Sequence, residues 1–237
     1  MSRKGSGPRR GVRRGGRRTR GGRPSRGGHT ARPQDHFGER ARKEGYPARA
    51  VYKLQEIDRR VQLLRRGHRV LDLGAAPGSW SLYAGERVGA EGKVIGIDLQ
   101  EITAAAPPQV HFQVLDMREV GPERMEGQWR FDVVLSDMAP RTSGMRHRDQ
   151  FLSYELFMRA LEVADTVLEP GGSFVGKIFQ GAEFEDARAA VQQRFEKVRI
   201  IKPDASRDES YEVFVVGLGR RTPPSNADGG TDAEPGS

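Results

Sequence analysis

A short loop between an apolar strand and a helix carries the residue types best suited to hold a ligand. The stretch VLDLGAAPGSW, residues 70–80, passes from apolar residues through Gly74, Pro77 and Gly78. The glycines lack a Cβ, so a ligand can approach their backbone closely, and Pro77 fixes its own φ and stiffens the turn. Ligands of doubly wound α/β sheets bind outside the carboxyl ends of the strands, where this loop would lie. The alternative is that the small residues merely let strand and helix pack closely.

Two acidic residues at later strand ends favour the ligand interpretation. Asp98 closes the next predicted strand, 24 residues after Gly74, a spacing at which a carboxylate can accept hydrogen bonds from the hydroxyls of a ribose. Asp116 closes the third strand, where it could accept from an adenine amino group, and Met117 beside it joins the candidate set. Trp80 either lines the same pocket or packs with only its backbone near the ligand.

The loop also indicates which nucleotide-like ligand it suits. A pyrophosphate cofactor calls for G-x-G-x-x-G or a Walker A sequence, and the chain here reads GAAPGS. A small adenosyl compound without phosphates fits a tight, proline-stiffened turn better, and S-adenosylmethionine is such a compound. A nucleotide-dependent oxidoreductase is therefore a disfavoured alternative.

Apolar strands alternate with amphipathic helices along the chain. This order predicts an α/β fold, namely a doubly wound, Rossmann-like sheet covered on both faces. The last two strands have little sequence between them, which indicates an antiparallel edge hairpin on an otherwise mostly parallel sheet. The seven predicted strands are RVLDLG, KVIGIDL, VHFQVLDM, FDVVLSDMA, SFVGKIF, KVRIIKP and EVFVVGLG.

Some local expectations concern element boundaries. SWSLYAGERV suits a helix with Ser79 as its N-cap, and SYELFMRALEVADTVL suits a helix that ends before Pro170, Gly171 and Gly172. RTSGMRHRDQ, residues 141–150, reads as a basic loop near the strand ends. It either holds RNA phosphates or is an ordinary solvated loop.

Composition excludes several classes of protein. The chain has no cysteine, which removes disulfides, thiolate metal sites and a cysteine nucleophile. Its five histidines are isolated in sequence, so we expect no metal site. No apolar run approaches the ~20 residues that span a bilayer, and the N-terminus lacks the apolar region of a secretory signal. We expect a soluble, cytoplasmic protein with no membrane partner.

Positive charge is concentrated at one end of the chain. Residues 1–34 hold 12 of the 40 Lys and Arg residues and no acid, whereas the remainder has 28 basic and 32 acidic residues. We expect residues 1–34 to be a disordered Arg/Gly-rich segment, residues 35–221 a folded domain and residues 222–237 a disordered tail. Such a basic segment favours nucleic acid as partner. The alternative is a solubilising extension.

Several motifs together resemble a known family. VLDLGAAPGSW, SDMAP, GGSFVGKIFQG and SYEVFVVG, preceded by YPARAVYKLQEID, are similar in order and spacing to the FtsJ/RrmJ-type 2′-O-ribose methyltransferases of RNA. The resemblance covers about residues 36–221 and implies the S-adenosylmethionine-dependent methyltransferase fold. It also implies a substrate, most closely a uridine of 23S rRNA in the large ribosomal subunit, and we expect a monomer. Ser79 departs from the family loop, where a second glycine is commoner.

The resemblance further implies a Lys–Asp–Lys–Glu tetrad. By motif position its members are Lys53, Asp137, Lys177 and Glu212, and Asp137 also counts among the cofactor-binding residues. Two lysines with two carboxylates sum to zero charge, which makes such a cluster tolerable beside apolar elements. Lys177 is implied to be the base or the group that orients the hydroxyl. Burial and Lys53 favour its neutral amine and Asp137 favours the ammonium, so the sequence leaves the two roles open.

The nature of the methyl acceptor follows partly by elimination. Methylation at cytosine C5 uses a cysteine, and the chain has none. Exocyclic amino methylation typically uses an aromatic residue in an (N/D)-P-P-(Y/F/W) stretch, and SDMAP has no such aromatic. An oxygen acceptor remains. Two alternatives stay open, a 2′-O-methyltransferase of tRNA and a non-catalytic RNA-binding factor of ribosome assembly.

Overall fold

The computed structural model describes residues 33–120, 130–206 and 210–222. The predicted tails therefore lie almost wholly outside the described residues. The elements in chain order are α1 (Pro33–Lys43), α2 (Val51–Val61), β1 (Arg69–Leu73), α3 (Ser79–Val88), β2 (Lys93–Asp98), β3 (Val110–Val114), a 3-10 helix (Met117–Glu119), β4 (Phe131–Ser136), α4 (Arg146–Val167), β5 (Leu168–Phe179), α5 (Phe184–Arg194), β6 (Phe195–Ile201) and β7 (Glu212–Arg220).

The strands form one seven-stranded sheet in the order β3-β2-β1-β4-β5-β7-β6. Neighbours from β3 through β5 are parallel, whereas β7 is antiparallel to both β5 and β6. The predicted mostly parallel α/β sheet with an antiparallel edge hairpin is thus confirmed. The chain order reverses between β1 and β4, and in such sheets the crevice outside the carboxyl ends of those strands is the usual ligand site.

Alternating strand residues place apolar side chains on both faces of the sheet. On one face Leu71 and Phe174 pack with residues of α4 and α5, including Phe157. On the other face Val70 and Val175 pack with residues of α2 and α3. Because consecutive strand residues point to opposite faces, both faces are covered, as expected for buried parallel strands.

Two predicted boundaries differ from the structure around α4. The helix begins at Arg146, so half of the expected basic loop is helical. It ends at Val167, before Pro170 as expected, but β5 begins at Leu168 and not at Ser173, so Pro170, Gly171 and Gly172 lie inside the strand. The register of β5 against β4 shifts between the partners of Phe131 and Val133, so the Pro-Gly-Gly stretch is an irregularity within a strand.

Helix α1 has no counterpart among the sequence predictions. It begins at Pro33, two residues before the expected domain boundary. Ala41 and Tyr46, both buried, pack with Tyr52 of α2 and Leu82 of α3. The Tyr46 hydroxyl also donates to Glu86 Oε2 at 2.6 Å. These contacts fix the segment of residues 47–50 that connects α1 to α2.

Candidate active site

The glycines of the loop after β1 are needed by the chain itself. Gly74 has φ 76° and Gly78 has φ 106°, values in the region that favours glycine. A Cβ on Gly74 would lie 2.2 Å from Met138 Cγ, and one on Gly78 would lie 3.1 Å from Phe112 Cζ. Packing and backbone conformation therefore explain both glycines without a ligand.

The loop is joined to the segment before α2 by two hydrogen bonds. The N-cap of α3 is Gly78, not Ser79 as expected. The Ser79 hydroxyl instead accepts from the Ala48 N–H at 2.8 Å, and the Trp80 indole N–H donates to the Ala50 carbonyl at 2.8 Å. Trp80 is buried. The Ser79 hydroxyl thus holds the segment that leads into α2, the helix that carries Lys53.

A hollow lies between this loop and β4. It has about 280 Å³ of space not filled by atoms, including the part open to solvent. Four predicted cofactor-binding residues line it: Gly74, Pro77, Trp80 and Asp137. The remaining lining residues are Ala50, Asp72, Ala75, Ala76 and Ser79.

Asp72 was missed by the sequence predictions. It is a fully buried carboxyl in the middle of β1, and its Oδ2 accepts from the Ser81 hydroxyl at 2.7 Å. Burial raises the pKa of Asp72 to about 7; the negative charges of Asp137 and Asp98 act in the same direction, and the Ser81 hydrogen bond opposes them. An acid within an otherwise apolar strand, as in VLDLG, was the available signal.

The other predicted cofactor residues have different surroundings. Asp98 stays beside the loop, because its Oδ2 accepts from the Ala76 N–H at 3.0 Å. The Asp116 carboxylate is paired with the Arg118 guanidinium, with Nη2 to Oδ2 at 2.5 Å, and caps the 3-10 helix. The Met117 side chain is buried in the core. None of these three residues lines the hollow.

The four tetrad residues come together at the carboxyl ends of the parallel strands. Asp137 follows β4, Lys177 lies near the end of β5, Glu212 opens β7 and Lys53 is on α2. Lys53 Nζ is 2.7 Å from Glu212 Oε1 and 3.6 Å from Asp137 Oδ1. Lys177 Nζ is 2.9 Å from Asp137 Oδ1 and donates to the Asp137 carbonyl at 2.6 Å.

The cluster is largely shielded from water. The exposed fraction of its side chains runs from 6% for Lys177 to 16% for Asp137. Burial raises the pKa of Glu212, but the charge and hydrogen bond of Lys53 outweigh it, so the pKa lies below the usual value. Asp137 Oδ1 lies 2.9 Å from Lys177 Nζ and 3.6 Å from Lys53 Nζ, so one carboxylate oxygen contacts both lysines.

Comparison with known proteins identifies the family. The FtsJ-like methyltransferase family matches residues 46–220. The chain belongs to this family. It is 54% identical over 187 residues to ribosomal RNA large subunit methyltransferase E of Sorangium cellulosum, covering 79% of this chain and 88% of that protein. It is 50% identical over 191 residues to the protein of the same name from Nitratidesulfovibrio vulgaris, covering 79% and 94%.

Solved structures agree with this assignment. A protein from Plasmodium falciparum named as a ribosomal RNA methyltransferase superposes with a TM-score of 0.64 at 26% identity, covering 74% of this chain and 98% of that one. The loop, the hollow and the tetrad all fall within the region that matches the family. In this FtsJ-like methyltransferase, therefore, the ionic cluster and the hollow belong to the family domain.

Two further observations concern the described part of this methyltransferase. None of its helices is both long enough and apolar enough to cross a membrane. No three acidic or histidine side chains among the same residues are grouped so that they could hold a metal ion.

Proposed function

We propose that this chain transfers a methyl group from S-adenosylmethionine to a ribose 2′-hydroxyl of RNA, at a uridine of 23S rRNA in the large ribosomal subunit. The proposal places it in the cytoplasm as a monomer. The observation that carries it is the position of Asp137, which lines the hollow beside the loop and contacts both lysines of the tetrad. One carboxylate thus joins a candidate cofactor pocket to a candidate reaction centre.

The residues of the hollow suit a cationic adenosyl compound. Two of the residues lining the hollow, Asp72 and Asp137, carry carboxyl oxygens. Oxygens of this kind favour a positive charge nearby. Gly74, Pro77, Gly78 and Trp80 would hold the ligand at the loop, and Asp98, Asp116 and the Met117 backbone would hold the adenosine end.

S-adenosylmethionine, when bound, supplies an electrophilic methyl carbon. The tetrad would align the ribose 2′-oxygen with that carbon, and such alignment can account for much of the acceleration. The new bond joins the 2′-oxygen to the methyl carbon, the carbon–sulfur bond breaks with its electron pair going to sulfur, and the hydroxyl proton is lost.

The contacts of Lys177 support an orienting role. Its Nζ faces both the carbonyl and the carboxylate of Asp137, which stabilise an ammonium group. An ammonium has no lone pair with which to accept a proton, but it can donate to the 2′-oxygen and stabilise the negative charge that develops there. The hydroxyl proton would then pass to water.

The substrate proposal rests on the relatives and on charge. The relatives are named as methyltransferases of large-subunit ribosomal RNA. Residues 1–34 add 12 positive charges that suit a polyanionic backbone. A non-catalytic assembly factor is less consistent with the structure, because nothing in RNA binding alone requires a shielded, charge-neutral tetrad.

A tritium-transfer assay tests the proposal. The substrate is the large ribosomal subunit from cells that lack the protein, and the variants are Lys177→Ala and, as control, Lys197→Ala, which removes an exposed lysine of β6. We expect the wild type and the control to label 23S rRNA, and Lys177→Ala to lose about 100-fold or more in rate while it still binds S-adenosylmethionine in calorimetry. Full turnover by Lys177→Ala would contradict the proposed role, and labelling of tRNA alone would replace the substrate.

A further inference from the structure

An arginine and a tyrosine stack beside the tetrad without having a role in it. The Arg146 guanidinium carbon lies 5.1 Å from the centre of the Tyr211 ring, within the range of a cation–π contact. Tyr211 also packs against Phe179 in a T-shaped arrangement with ring centres 4.8 Å apart. Tyr211 directly precedes Glu212, and Phe179 is the strand partner of Glu212. The stack therefore lies next to the tetrad.

This stack differs from another Arg–Tyr contact of the chain. Arg40 lies 4.9 Å from the centre of the Tyr52 ring, but Arg40 is ion-paired with Glu44 at 2.7 Å and Tyr52 is buried. Tyr211 is only half-buried and Arg146 is exposed. Among the described residues no carboxylate lies within ion-pair distance of Arg146. The exposed guanidinium can be reached by an anionic partner from solvent.

Hydrogen bonds connect the backbone at Tyr211 to helix α4. The Gln150 side-chain amide donates to the Gln180 carbonyl, and the Gln180 N–H donates to the Tyr211 carbonyl at 2.9 Å. Gln180 therefore connects Gln150, four residues after Arg146 in α4, to the Tyr211 backbone. The segment after Gln180 packs closely against α4: a Cβ on Gly181 would lie 2.9 Å from Gln150 Cβ.

The segment before Arg146 is fixed in a similar way. The buried Asp149 carboxylate accepts from the Ser143 N–H and the Ser143 hydroxyl, both at 2.8 Å, and from the Gly144 N–H at 3.3 Å. The Ser143 N–H is the main reason that the pKa of Asp149 lies below its usual value. Further exposed basic residues of this region are Arg141, His147 and Arg148.

We propose that Arg146 and Tyr211 form a stacking platform for a base of the RNA strand whose ribose enters the tetrad. This inference rests on the function proposed above. Proteins read single-stranded RNA by stacking bases on aromatic rings and on arginine guanidinium planes. A ribose held at Lys177 brings its own base and those of its neighbours close to this surface. The platform positions RNA and takes no part in bond making.

Variants of the two residues separate stacking from charge. Arg146→Ala removes both, Arg146→Lys keeps only the charge, and Tyr211→Phe keeps the ring. Tyr211→Leu keeps an apolar side chain against Phe179, so the fold is preserved while the aromatic face is lost. Arg188→Ala is the control, because Arg188 is an exposed arginine of α5 paired with Glu185 at 2.7 Å.

The measurement is methyl transfer to large ribosomal subunits from cells that lack the protein. We expect Arg146→Ala, Arg146→Lys and Tyr211→Leu each to raise the KM for subunits about tenfold, with kcat and affinity for S-adenosylmethionine unchanged. Tyr211→Phe and Arg188→Ala keep the wild-type KM. A wild-type KM in Arg146→Ala or Tyr211→Leu would overturn the platform, and a wild-type KM in Arg146→Lys would reduce it to a phosphate contact.

A second readout is independent of turnover. Fluorescence anisotropy of a short, labelled single-stranded RNA reports binding even if no methyl is transferred. Absence of transfer by the wild type would contradict the proposed function, whereas equal RNA affinity in wild type, Arg146→Ala and Tyr211→Leu would contradict the platform alone.

Discussion

The two ends of strand β7 carry ionic clusters of different design. At its start Glu212 joins Lys53, Asp137 and Lys177. At its end the buried Arg220 guanidinium donates to the carbonyls of Leu168 and Asp165 and contacts Asp165 Oδ1 at 3.3 Å. Both clusters lie where the strands end and helices pack against them.

The difference lies in what the charges contact. Arg220 bonds mainly to the backbone carbonyls of Leu168 and Asp165, at the junction of α4 and β5. The tetrad charges contact mostly one another, and Asp137 lines a hollow. Shielded charge that completes backbone hydrogen bonds indicates a structural role, whereas shielded charge beside an open hollow indicates a functional one.

The largest expected effect is on kcat, and a matched pair of variants, one in each cluster, measures it. Asp137→Asn leaves two shielded lysines with one carboxylate and should lower kcat about 100-fold or more. Asp165→Asn, at the other end of β7, should leave kcat unchanged. The measurement is tritium transfer to large ribosomal subunits, and equal losses in both variants would remove the functional distinction.

The next-largest effect is on the free energy of unfolding, and it comes from the cluster around Arg220. Arg220→Ala leaves the Leu168 and Asp165 carbonyls without their charged donor and should lower the free energy of unfolding by about 3 kcal/mol. Urea denaturation measures it. Activity per folded molecule should stay at the wild-type level, and a loss comparable to that of Asp137→Asn would mean that the Arg220 end of β7 contributes to catalysis.

The third effect is a pH dependence of stability that comes from the buried carboxyl of Asp72, which lines the hollow. Its folded pKa of about 7 lies above its unfolded value, so the fold favours the protonated acid and wild-type stability falls as pH rises through this range. Relative to Asp72→Asn, the wild type should lose about 2 kcal/mol between pH 5 and pH 7. Thermal unfolding of both proteins across this range measures the difference, and a constant difference would show that the carboxyl does not titrate there.

The smallest effect concerns RNA affinity. Deleting residues 1–32 leaves α1 complete and removes positive charge that belongs to neither cluster. We expect a KM for subunits several-fold higher, a shallower dependence of RNA affinity on salt and an unchanged kcat at saturation. A titration of labelled RNA at several salt concentrations checks it, and an unchanged salt dependence would assign this segment another role.

The sequence was sufficient for the order of the strands along the chain and for naming four residues that lie together. The alternation of apolar strands with amphipathic helices predicted the sheet, and the short separation of the last two strands predicted the edge hairpin. Motif order named Lys53, Asp137, Lys177 and Glu212, which the structure brings into contact. The carboxyl ends of parallel strands lie along the same side of a sheet, so motif residues that follow different strands are close in space.

Features set by tertiary contacts were not predictable in the same way. The early start of α4 depends on Asp149, which bonds back to Ser143, and the role of Ser79 depends on a distant partner, Ala48. Pro170 and the two glycines after it lie in β5 between two paired positions: Leu168 pairs with Phe131, and Ser173 pairs with Val133 and Leu218. Local propensity favours a turn there, and pairing on either side of the stretch keeps it within the strand.

Mapping 2′-O-methyl groups in 23S rRNA tests the proposed chemistry most directly. The cells compared lack the protein or carry either the wild type or Lys177→Ala. We expect one uridine to be methylated with the wild type and unmethylated in the other two strains. An identical methylation map in all three strains would contradict the proposal that the tetrad delivers a methyl group to a ribose of this RNA.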